Sequence, residues 1–66
     1  MTQIDQILEH LKAGNSITPI DALNMFGCFR LGARIFDLRE RGYLIATEYE
    51  KNNGKTYARY SLMSTP

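Results

Sequence analysis

The 66-residue chain holds one cysteine, Cys28, one histidine, His10, and two prolines. A single cysteine excludes an intramolecular disulfide and any zinc site built on several thiolates. Cys28 and His10 are the residue types of a nucleophile and its base. However, His10 falls on the first helical pattern and Cys28 in a turn, and nothing in the sequence joins them. Cys28 reads better as a small buried residue. No run of 18 apolar residues occurs, so no membrane span is expected. The opening MTQIDQILEH carries Asp5 and Glu9 where a secretory leader needs basic and then apolar residues. A reduced, cytoplasmic setting is therefore the default expectation. There is no glycine-rich phosphate loop, no metal-ligand spacing and no triad. The chain is accordingly expected to be no enzyme and to need neither cofactor nor metal. Asp5 and Glu9 stand four residues apart, but an exposed acidic helix face explains them.

Net charge is small, +1, because eight basic side chains nearly balance seven acidic ones. Its distribution is uneven. Residues 1–27 set one lysine, Lys12, against Asp5, Glu9 and Asp21. Residues 28–66 set seven basic side chains against four acids. A polyanion responds to such a local excess rather than to the sum.

What is present is periodicity. Thr2 is a fair N-cap, and Ile4, Ile7, Leu8 and Leu11 follow at i, i+3, i+4, i+7, predicting a helix over 2–13. Gly14 suits its end. Thr18, Pro19 and Asp21 supply an N-cap, a first-turn proline and an acid near the positive end of the helix dipole. They predict a second helix over 19–26, with Ile20, Leu23 and Phe26 turned inward and Gly27 as its stop. Ser16 and Ile17 form a short extended link, able to add a third strand to any sheet that follows.

Only Gly27 and Cys28 separate this helix from the next. Residues 28–42 read CFRLGARIFDLRERG. Leu31, Ile35 and Leu38 mark one apolar stripe. With successive residues 100° apart, Arg30, Arg34, Asp37 and Arg41 cluster on a flank, and Ala33 lies opposite the stripe. Two helices joined by a glycine-containing turn have the form of a helix-turn-helix; an ordinary helical corner is the plainer alternative. The arginines suit phosphates and guanine edges, and equally serve as solvated cover. Phe36 lies off the stripe, exposed or packed under a neighbour.

After Gly42 the period falls to two. Residues 43–49 and 56–62 alternate as strands, and Asn53-Gly54 between them is a strong hairpin signal. Thr56, Ala58, Tyr60 and Leu62 are expected to face the helices, since a lone two-stranded ribbon is unstable.

This order, and the runs ITPIDAL, RIFDLRERGY and NGK, resemble the winged helix-turn-helix, in particular the small helix-turn-helix proteins of phages and prophages. The resemblance covers about 3–62. It implies an α+β single domain over 1–66: three helices (2–13, 19–26 and the recognition helix at 29–41) and an antiparallel wing of two or three strands at 43–62. It also implies sequence-specific binding of double-stranded DNA, by a small transcriptional regulator or an excision or architectural accessory. The residues expected at that interface are Arg30, Arg34, Asp37 and Arg41 on the helix, and Lys51, Asn52, Asn53, Lys55 and Arg59 on the wing. Thr18 and Asn24 are expected to add phosphate hydrogen bonds. Asp37 repels phosphate unless it pairs with Arg34 or Arg41 or accepts from a cytosine amine. So short a chain makes few phosphate contacts, so a homodimer or a cooperative array is expected. The alternative partner is a protein, as for a phage-encoded inhibitor docking on a host complex.

Overall fold

The computed structural model describes residues 2–66. Their order is α1 (Gln3–Lys12), α2 (Pro19–Phe26), α3 (Leu31–Glu40), β1 (Leu44–Asn52) and β2 (Lys55–Ser64). Three helices thus precede a two-stranded antiparallel sheet.

Local chemistry accounts for each helix start. At α1 the Asp5 N–H donates to the Thr2 hydroxyl and the Thr2 N–H donates to the Asp5 carboxylate, both at 3.3 Å. Thr18 and Asp21 repeat this reciprocal box at α2, at 3.2 and 3.3 Å. Thr18 is buried, so water cannot replace its hydroxyl. Thr18→Ala is therefore expected to cost about 1–2 kcal/mol, read as a lowered urea midpoint with unchanged slope. A loss within a few tenths of a kcal/mol would show that the box contributes little.

α2 ends at Gly27, whose N–H donates to Leu23 O at 3.0 Å while the Cys28 N–H reaches Ala22 O, also at 3.0 Å. α3 begins two residues later than its sequence pattern implies. Arg30 is its N-cap, with φ −124° and ψ 61°, and makes no side-chain capping bond. The far end closes on Gly42, at φ +98°, with the Gly42 N–H bonded to Arg39 O and the Tyr43 N–H to Leu38 O. A side chain at position 42 would strain that left-handed turn.

One core serves all elements. Ile7, Leu8 and Leu11 of α1 meet Leu31, Ile35 and Leu38 of α3, with Ile17, Ala22, Cys28 and Ile45 completing the cluster. Tyr60 and Leu62 pack on it from the inner face of the sheet, as their alternation implies. Ile20 does not join it. It is 60% exposed, and Ala22 is the fully buried residue of α2. Ile20 lies 200° round the helix from Ala22, so burying one exposes the other. The small alanine lets the short α2 sit close to its neighbours.

β1 and β2 pair from Asn52↔Lys55 down to Ile45↔Leu62, with a register shift between Leu44 and Ile45. Asn53 (φ 52°) and Gly54 (φ 78°) make the turn, both at the positive φ that a two-residue hairpin of this kind demands. Ile17 adds a single bridge to Tyr60 through two backbone bonds of 2.9 and 2.8 Å. The third strand is thus one residue long, and it pins the ribbon to the helices.

Candidate nucleic-acid interface

With Leu31, Ile35 and Leu38 buried, the rest of α3 divides into three zones. Ala33, Phe36 and Glu40 form the outermost ridge, opposite the core, with Gly32 one turn before Phe36 on the flank that Arg39 shares and Asp37 along the other edge; Phe36 is 61% exposed. Arg34, Asp37 and Arg41, with Arg30 at the helix entry, form one shoulder. Arg39 forms the other, toward β1. The basic flank read from the sequence therefore exists, but it lies beside the ridge rather than on it.

The shoulder residues differ in freedom. Arg30 is exposed and has no ion pair among the described residues. Arg34 Nη2 lies 3.3 Å from Asp37 Oδ2, with both side chains more than a third exposed. Such a surface pair is worth at most about 1 kcal/mol. Arg34 can thus exchange Asp37 for another anion at little cost, although its Nε is buried without a partner. Arg41, at the C-cap of α3, stands apart from Arg30 at the other end of the helix, near the start of α1.

The Asp5 carboxyl is held below its ordinary value of 3.8, first by the Thr2 side chain, next by the Thr2 backbone N–H and to a lesser degree by the Arg41 charge. A depressed folded-state pKa gives stability that is complete above the unfolded value and lost as pH falls through the folded one. The box at α1 is therefore expected to weaken only below about pH 4. Asp5→Asn should flatten that part of an acid titration followed by circular dichroism. An unchanged acid limb would contradict this origin of the shift.

On the wing, Lys51, Asn52, Asn53 and Lys55 are all exposed around the turn. Arg59 is engaged internally. It donates from Nε to Glu50 Oε1 and from Nη1 to Ser16 Oγ at 2.8 Å, and Glu50 raises its pKa. It braces the ribbon against the link before α2. Arg39 braces the other strand, donating from Nη2 to Ile45 O at 2.7 Å and to Thr47 Oγ1 at 2.8 Å. In the sequence Arg39 looks like solvated cover. Only the fold brings Ile45 and Thr47 within its reach, so that it ties β1 to α3. Thr18, expected to bond phosphate, is buried with its hydroxyl committed to the Asp21 N–H. Asn24 is exposed.

Two shallow hollows show how helix and wing adjoin. One, of about 380 Å³, is lined by Pro19, Ile20, Leu23, Cys28, Phe29, Lys55, Thr56 and Tyr57. The other, of about 330 Å³, is lined by Gln3, Gly27, Phe29, Arg30 and Arg34. Phe29, which is 86% exposed, belongs to both. Arg30 and Arg34 thus lie on one side of Phe29 and Lys55 on the other, and the base-bearing end of the wing adjoins the start of α3. His10 and Cys28 have separate surroundings. His10 Nε2 is 3.1 Å from Ser16 O with its ring edge-on to Phe26, and Cys28 is buried in the core.

Two helices set across a tight glycine turn, with an antiparallel ribbon folded back beside the second, define a winged helix-turn-helix. The chain matches the family described as "winged helix-turn-helix domain" over residues 2–65, and it belongs to that family. Membership points to DNA binding as its general role. Comparison with curated proteins and with solved structures gave no match. None of the described helices is long and apolar enough to cross a membrane.

Proposed function

We propose that this protein binds double-stranded DNA sequence-specifically, with α3 in the major groove and the wing turn against the flanking backbone. The supporting observation is the adjacency of Arg30, Phe29 and Lys55. Cationic groups from two separate elements flanking Phe29, beside a helix of groove-filling width, support this reading. Arg30 and Arg34 take phosphates or flanking base edges, with Asp37 fixing Arg34 until it is exchanged. Lys51, Asn52, Asn53 and Lys55 take backbone phosphates. Arg59 acts by holding the ribbon, and Arg41 is the outermost shoulder contact. A small phage or prophage regulator, or an excision or architectural accessory of a mobile element, is the role this reading assigns to it. It would act as a dimer or as a cooperative array on adjacent sites.

The test is a mobility shift with duplex DNA from 20 to 300 mM salt. Binding that weakens linearly on logarithmic axes, with a slope of about −3 to −4, is expected from four or so phosphate contacts. A second reading, docking on a host protein, is favoured by the hollow beside Ile20 and Phe29, both more than half exposed. No shift with any duplex at the lowest salt would support it and overturn DNA binding.

A further inference from the structure

The cations on α3 lie on its shoulders, while its outermost ridge carries Ala33 and Phe36, with Gly32 beside Phe36, Asp37 along the opposite edge and Glu40 at the far end. An α-helix with its side chains is about 10–12 Å across and the major groove about 12 Å wide. A seated helix therefore presents its ridge to the base edges and its shoulders to the two phosphate walls. Here that ridge offers no hydrogen-bond donor side chain, since the carboxylates of Asp37 and Glu40 only accept. Its first turn, at Ala33 and Phe36, is apolar, and the apolar feature on the groove floor is the thymine C5-methyl group. We infer that α3 reads its site by packing Ala33 and Phe36 against thymine methyls. On this basis its specificity is for thymine-bearing steps rather than guanine, and the arginines supply affinity with little sequence information. This inference rests on the DNA-binding proposal above and deepens it.

A second observation points the same way. A glycine inside a helix costs about 1 kcal/mol against alanine, so Gly32 needs a reason. Within the molecule there is none: a Cβ built on it meets nothing within 4 Å, and its φ is not in the left-handed region. The space a side chain at 32 would fill lies outside the protein, beside Phe36. An external surface that comes closer to the backbone than a side chain permits accounts for it. Phe36, one turn on, is large and 61% exposed. The basic surroundings at Arg30 and Lys55 suit phosphate walls on either side of an apolar floor.

The experiment uses the full chain. A binding duplex is selected from a random-sequence pool, and affinity is then compared for that duplex and for the same duplex with deoxyuridine in place of thymine. Losing a buried methyl should weaken binding roughly three- to fivefold per thymine contacted, and so about ten- to twenty-five-fold for two. In Phe36→Ala the ratio between the thymine and uracil duplexes should fall toward one. In Arg30→Ala both duplexes should weaken equally, leaving the ratio intact. Gly32→Leu should raise the urea midpoint while lowering DNA affinity at least tenfold, a divergence that a merely structural glycine cannot produce. Selected sites lacking thymine, or equal affinity for the two duplexes alongside salt-dependent binding, would overturn methyl readout while leaving DNA binding in place. No selectable duplex at all would overturn both.

Discussion

Leu38→Ala is expected to leave much of the protein unfolded at 37 °C. Leu38 has no accessible surface, sits among α1, α3 and β1 residues, and gives its carbonyl to the Tyr43 N–H where α3 turns into the wing. Truncating a buried leucine to alanine costs about 2–5 kcal/mol, the spread reflecting how far the cavity collapses. A domain of this length has roughly 3–10 kcal/mol in total. The loss therefore takes about a fifth or more of the whole reserve, and near the low end of that reserve up to all of it. With Cys28 the only cysteine, no intramolecular disulfide constrains the unfolded chain to offset it. Urea denaturation followed by circular dichroism reads the effect. Phe36→Ala on the opposite face of the same helix is the control and should stay within about 0.5 kcal/mol. Equal losses for the two variants would mean that the buried and exposed faces of α3 have been assigned the wrong way round.

The second large effect is on binding. Counterion release makes each phosphate contact worth about an eightfold factor at 0.1 M salt, from a slope near 0.9 per contact. Arg30→Ala with Lys55→Ala should thus lower affinity about 60-fold at that salt. The same pair should flatten the salt slope by about two. Both side chains are exposed and make no internal bond among the described residues, so the fold should be unaffected. Arg59→Ala should behave differently. It severs the brace to Glu50 and Ser16, so a lowered melting temperature should accompany any loss of affinity. A double variant with normal affinity and an unchanged slope would remove the helix-entry and wing cations from the interface.

The parts of this fold that were legible in the sequence are those fixed by neighbours in the chain. Thr18, Pro19 and Asp21 announce α2 because each acts within one turn, and Asn53-Gly54 announces the hairpin because its backbone angles are its own. The inward face of α2 was not legible. Ile20, Leu23 and Phe26 spread over a wide arc of so short a helix, and only the closeness of α1 and α3 decides that Ala22 is buried and Ile20 is not. The start of α3 was blurred for a related reason: Arg30 is no capping residue, so nothing local marks the boundary. In the site, the Arg34–Asp37 pair follows from helical spacing and was foreseeable. The roles of Arg39 and Arg59 depend on partners brought in by strand pairing and by the wing's return, and spacing along the chain does not reveal them. The ridge was half visible: Ala33 was placed opposite the core stripe, but the absence of any base on that line becomes telling only when the shoulder is seen to be separate.

The most direct measurement of how this molecule meets DNA is a titration of the ¹⁵N-labelled protein with its selected duplex, following every backbone amide. The expected result is a continuous perturbed surface comprising residues 29–41 of the α3 side and 51–57 of the wing, with the acidic face of α1 around Glu9 unmoved. Shifts centred on α1, or confined to the wing with α3 silent, would contradict a groove-seated helix flanked by its wing.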